Sequence, residues 1–104
     1  MKMAEEKKFS KTISSELNNI SNFLLESGAQ KVYLFGSHLN GKADTSSDID
    51  IGVKGLDGKK YFSVWNKVDS LCERTIDLVD FDDSADFFDF LVKTNSVELI
   101  GEKK

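Results

Sequence analysis

The segment Asp48-Ile49-Asp50-Ile51-Gly52-Val53 alternates acidic or small residues with β-branched ones, and this pattern restricts the fold more than any other stretch of the chain. Successive side chains of a strand point to opposite faces, so Ile49, Ile51 and Val53 take one face while Asp48 and Asp50 share the other. The apolar face demands a core. The acidic face demands water or a cation, because same-face neighbours lie roughly 7 Å apart, a gap that divalent metal ions with oxygen ligands can bridge. Residues 75–81 repeat the design, with Ile76 and Leu78 on one face and Asp77 and Val79 on the other. If the two strands are neighbours, Asp77 completes an acidic triad. Aspartate is depleted in strands, so two within one short strand and a third on the next are a costly arrangement without a ligand.

The remaining chain supplies the elements that such a sheet needs. Phe9, Ile13, Leu17, Ile20 and Leu24 recur at helical spacing and predict a helix over about 9–27 that ends near Gly28. Val32-Tyr33-Leu34-Phe35 is a short apolar, β-prone run closed by Gly36 and reads as a buried strand. Residues 37–47 are polar and read as a loop or one short helical turn. After a turn at residues 54–58, Tyr61, Val64, Trp65, Val68 and Leu71 form a second helical face ending near Glu73. A helix over 84–93 opened by a Ser84 or Asp83 cap, and a short strand over 97–100, complete the order α β β α β α β. The expected fold is α/β (α+β): a mixed four-stranded sheet flanked by helices, with the core over about 31–102.

Composition narrows the function classes. With 104 residues, 39% hydrophobic and 31% charged, the chain is expected to form a single domain, residues 1–104. No run approaches the roughly 20 apolar residues of a membrane span, and residues 1–8 are charged, so a cytoplasmic location is expected. Cys72 is the only cysteine, which excludes an internal disulfide or a thiolate metal cluster and reads as a small core residue. A net charge of −4, from 18 acidic and 14 basic side chains, disfavours grip on a long nucleic acid. A nucleotide remains compatible, because a divalent metal reverses the local sign of an acidic site. Three clustered carboxylates suit two-metal phosphoryl chemistry, with Asp77 as ligand or base on the nucleophile's side.

Gly36-Ser37 follows the first strand, where glycine permits a sharp turn and close approach, and Ser37 offers an N–H and a hydroxyl to a phosphate. Two rival motifs fail. Residues 36–43 nearly spell a P-loop, but Ala43 stands where a metal-binding Ser or Thr is needed, and no long helix can follow before the next strand. Asp48-x-Asp50 cannot open an EF-hand, because the sixth position is Val53 instead of Gly and the intervening isoleucines belong to a strand.

Gly36-Ser37, Gly41, Ser47-Asp48-Ile49-Asp50-Ile51 and Ile76-Asp77-Leu78-Val79, taken together, resemble the DNA polymerase β-like nucleotidyltransferases, and among them the minimal nucleotidyltransferase family, over roughly residues 10–102. The resemblance implies that Gly36 and Ser37 bind the triphosphate; Lys42 is expected as a further nucleotide contact in place of a family arginine. The resemblance also implies that Asp48, Asp50 and Asp77 are the catalytic carboxylates and hold Mg²⁺. ATP is the implied substrate. Where many members carry Ala-Arg before the second glycine, this chain has Leu39-Asn40, which leaves Lys42 or His38 as the nearby cations. His38, the sole histidine, reads as a solvated loop residue or a nucleotide contact.

Members of this kind are commonly encoded beside a HEPN-domain protein. The resemblance therefore implies an antitoxin that silences a HEPN ribonuclease toxin by transferring AMP to a hydroxyl, or by binding alone with a weakened active site; either a homo- or a hetero-oligomer is compatible with the sequence. Asp80, Asp82, Asp83, Asp86 and Asp89, interleaved with Phe81, Phe87, Phe88 and Phe90, lack any basic neighbour and suit docking on a basic partner, with Phe88 and Phe90 as expected anchors. The alternative is that Phe87, Phe88 and Leu91 are plain core.

Overall fold

The computed structural model describes residues 11–36, 39, 48–71 and 74–103. Chain order is α1 (Lys11–Glu26), β1 (Lys31–Phe35), β2 (Ile49–Lys54), a 3-10 turn (Gly58–Lys60), α2 (Tyr61–Asp69), β3 (Ile76–Asp80), α3 (Ala85–Lys93) and β4 (Val97–Glu102). The strands form one sheet in the order β3-β2-β1-β4. β1 is antiparallel to both β2 and β4, whereas β2 and β3 are parallel. This is the expected mixed four-stranded sheet with flanking helices. The parallel pair arises because α2 carries the chain back along the sheet between β2 and β3, as a crossover must.

The two faces have separate cores. On one, Leu17, Ile20 and Leu24 of α1 and Val64 and Val68 of α2 pack on Val32, Leu34, Ile49, Ile51, Val53, Ile76 and Leu78. These are the alternating apolar positions of the strands, and burying them against two helical stripes is the main favourable term in folding. On the other face Phe81, fully buried, gathers Phe35 and Leu91, with Tyr33, Val79, Phe88 and Val97 around them. Gly52 makes room for this second core: a Cβ there would sit 2.1 Å from the Phe81 ring. Among the described residues no helix is long and apolar enough to cross a membrane.

Several boundaries differ from the sequence expectation, each for a local reason. α2 ends at Asp69 instead of near Glu73, because the Asp69 carboxylate accepts the Ile76 N–H at 2.9 Å and the chain must turn to reach it. Leu71 therefore leaves the helical periodicity and is exposed, not core. Ser84 occupies the cap position of α3 but makes no side-chain cap bond, and neighbouring acids serve turns instead. Asp82 accepts from Gly55 N–H at 2.7 Å and Asp80 accepts from Asp82 N–H at 3.0 Å. β4 runs on to Glu102 because β1 offers partners as far as Lys31. Phe9, the Ile13 side chain, Cys72 and Glu73 lie outside the described residues.

The outer edge of β3 is covered by side chains of α2. Trp65 Nε1 donates to the Ile76 carbonyl at 2.8 Å, and the Tyr61 hydroxyl donates to the Leu78 carbonyl. Such bonds satisfy groups that would otherwise offer an open edge to another chain. Burial, followed by the fields of Asp80 and Asp77, pushes the Tyr61 phenol above its ordinary pKa. A raised folded-state pKa contributes stability that is fully present below the unfolded value near 10 and is lost as pH rises through the folded value. Tyr61→Phe is therefore expected to flatten the alkaline loss of stability in urea unfolding series taken above about pH 10. At neutral pH it should lose about 1 kcal/mol for the missing bond. An unchanged alkaline slope would show that Tyr61 does not carry this term.

Candidate active site

β1 ends at Phe35, and Gly36 follows with φ +83°, a left-handed conformation that side chains rarely adopt. A Cβ built on Gly36 would lie 2.0 Å from Asp50 Oδ2 and 2.9 Å from its Cγ, so the Asp50 carboxylate rests against the Gly36 backbone. The register explains this proximity, since Phe35 pairs with Asp50 across β1 and β2. On the other side of β2, Asp50 pairs with Asp77 of β3. Val97, Phe35, Asp50 and Asp77 thus form one row across the four strands, on the face opposite the larger core. The glycine and two of the expected carboxylates come together at the end of the sheet where β1 exits.

Asp50 is half-buried, whereas Asp48 and Asp77 are exposed. Asp48 stands just before β2 begins at Ile49, so it precedes the strand that the sequence expectation gave it. Among the described residues no group of three or more His, Cys, Asp or Glu side chains stands close enough to hold a metal ion. The backbone supplies a shared face and a shared end, and neighbouring strands run about 4.8 Å apart, so side-chain rotation alone brings Asp50 and Asp77 together or apart. The donor set, carboxylate oxygens beside a close-lying glycine backbone, suits a hard cation such as Mg²⁺. Leu39 N–H donates to the Gly36 carbonyl at 3.1 Å, so the chain turns at once after β1, and the Leu39 side chain packs against the larger core. Ser37, His38, Asn40, Gly41 and Lys42 lie outside the described residues.

The sequence left one neighbour of this row, Phe87, open between docking segment and core. The Phe87 ring of α3 meets Phe35 edge-on, with centroids 5.5 Å apart, and is still 40% exposed. Nothing in the sequence separates Phe87 from Phe88. Phe88 turns inward, with its ring 5.1 Å from Tyr33 and 4.9 Å from Phe81, and Lys54 Nζ lies 4.0 Å above it. Phe88 is therefore partly buried against the second core, as the plain-core alternative has it and not as a docking anchor.

Known proteins sharpen the comparison. Residues 18–104 match the family model described as polymerase beta, nucleotidyltransferase. No curated protein matches the chain. Among solved structures, a toxin–antitoxin crystal structure with AMP-PNP is similar at 29% identity and a TM-score of 0.68, covering 83% of this chain and 73% of that one. A tri-AMPylated Shewanella oneidensis HEPN toxin in complex with its MNT antitoxin is similar at 28% identity and a TM-score of 0.63, covering 84% and 71%. The toxin–antitoxin pair MntA-HepT is similar at 27% identity and a TM-score of 0.62, covering 84% and 71%. The alternating strands, the glycine exit and the acidic row are thus accompanied by a family match over most of the chain, and this protein belongs to the polymerase β nucleotidyltransferase family.

Proposed function

We propose that this protein transfers AMP from ATP to a hydroxyl of a HEPN-domain toxin and acts as its antitoxin, working as one domain within a complex with that partner. The observation that carries this reading is the register of Asp50 with Asp77, with Gly36 packed on the Asp50 carboxylate. It is supported by the likeness to an antitoxin held with an AMPylated HEPN toxin. Gly36 and Ser37, with Lys42, would bind the triphosphate, and Asp48, Asp50 and Asp77 would hold Mg²⁺. When bound, that ion neutralises phosphate charge and acidifies the acceptor hydroxyl. The chain's own residues orient the nucleotide: Gly36 leaves its backbone open to a phosphate, and Asp50 and Asp77 face the same space. The acceptor oxygen forms a bond to the α-phosphorus, the bond from that phosphorus to the leaving pyrophosphate breaks, and Asp77 accepts the acceptor's proton. A requirement for ATP suits action in the cytoplasm.

A binding-only antitoxin is the second reading. It is favoured by Leu39-Asn40, where many family members carry Ala-Arg, because Leu39 faces the core and Asn40 brings no charge. Labelled ATP separates the two. With the HEPN toxin of the source cell and Mg²⁺, label at the α-phosphate is expected on the toxin and label at the γ-phosphate is not, and the Asp48→Asn/Asp50→Asn variant should transfer neither. Toxin that stays unlabelled yet co-purifies with the protein would favour binding alone.

A further inference from the structure

We infer that Phe87 and Phe90 form a ledge on which the acceptor segment of the toxin docks, a segment presenting apolar and cationic side chains around its hydroxyl; this rests on the transfer reading above. Phe87 packs on Phe35, which shares a row with Asp50 and Asp77, so this flank of α3 borders the acidic end of the sheet. Phe90 lies one turn further along the same flank and is 59% exposed. Phe62 is exposed too, but Phe87 and Phe90 are neighbours on one helix flank, so together they leave an apolar patch open to water at the border of the acidic row. Rings of this kind anchor protein interfaces at small entropic cost, because few rotatable bonds are frozen.

Charge selects the occupant. No basic residue lies between Asp80 and Phe90, and Asp83, Asp86 and Asp89 are exposed, with Lys93 as the only cation in α3. An aromatic ledge rimmed by carboxylates rejects an acidic ligand and steers a basic one. Continuity with the acidic row places that ligand where an acceptor hydroxyl must arrive. The opposite flank of the same helix supplies an internal control. Phe88 there is inserted among Tyr33 and Phe81, and Val92, 52% exposed, faces away from the Phe87 and Phe90 side.

The test measures AMP transfer to the purified HEPN toxin with Phe90→Ser, Phe87→Ser and Val92→Ser, together with Mg-ATP affinity for each variant. Phe90→Ser is expected to raise KM for the toxin roughly tenfold, the size of a moderate interface anchor, while Mg-ATP affinity stays within about twofold. Phe90→Leu should recover part of the loss, and Val92→Ser should behave as the parent. Because Phe87 also touches Phe35 and Phe81, Phe90→Ser decides the matter if Phe87→Ser unfolds. An unchanged KM, or equal losses at Val92 and Phe90, overturns the ledge. Weakened Mg-ATP binding in Phe90→Ser also overturns it and assigns the ring to the nucleobase. Absence of transfer by the parent protein is a different failure, which removes the transfer reading and the ledge with it.

Discussion

Asp50→Asn is expected to lower AMP transfer by about 10²–10⁴-fold, the usual range for loss of one positioned catalytic group, with thermal stability unchanged or slightly raised. Asparagine keeps the shape of the side chain against Gly36, removes the charge and replaces one acceptor oxygen with an NH₂ donor. Asp50 pairs in register with Asp77 of the neighbouring strand, so loss of its charge lowers like-charge repulsion across the pair and should leave the fold intact. Gly36→Ala probes the same contact from the other side. Its added methyl group would collide with Asp50 Oδ2 in a backbone conformation that alanine rarely takes, so transfer should fall without any catalytic atom being removed. If Gly36 acts through Asp50, the double variant is no slower than Asp50→Asn alone, a non-additivity that initial rates at saturating ATP would reveal. Asp50→Asn retaining activity within threefold of the parent would falsify the assignment of this row as the catalytic one.

Gly52→Val is expected to destabilise the protein by about 2–3 kcal/mol and to lower Tm by roughly 10–20 °C. The added atoms would enter the space of the Phe81 ring, which a single Cβ would already approach at 2.1, 2.3 and 2.6 Å. Phe81 cannot swing aside, because it is fully buried between Phe35, Tyr33, Phe87 and Phe88. Gly58→Ala is the matching control, since a Cβ there meets nothing within 4 Å. Shortening the ring should compensate, so Gly52→Ala combined with Phe81→Leu is expected to lose less stability than the two single losses added together. Equal melting of Gly52→Val and the parent would mean that the second core repacks freely and does not fix the position of α3.

Sheet composition and the shared face of Asp50 and Asp77 were legible in the sequence because strand periodicity is local. Alternation of Ile49, Ile51 and Val53 with Asp50 determines which residues share a face whatever the strand's neighbours are, and the same holds for Ile76, Asp77 and Leu78, whereas Asp48 falls just outside the strand and escapes that rule. The helical stripes of Leu17, Ile20 and Leu24 and of Val64 and Val68 were equally plain and are buried as expected. Element ends were less legible, as at Leu71, because they depend on partners distant in sequence: Asp69 stops its helix by bonding Ile76. The role of each phenylalanine between 81 and 90 could not be read either, since composition is identical at Phe87 and Phe88 and only the angle of α3 over the sheet decides which ring is inside.

By itself the sequence determined the alternating acidic strands, the glycine that ends β1, and the apolar stripes that require one core. Only the tertiary structure decided that β3 lies beside β2 with Asp77 opposite Asp50, that Gly36 abuts the Asp50 carboxylate, and that Phe88 is core while Phe87 and Phe90 face outward. The physical reason is that strand order and register are chosen by the summed burial of both faces, a property of the whole sheet that no single segment contains.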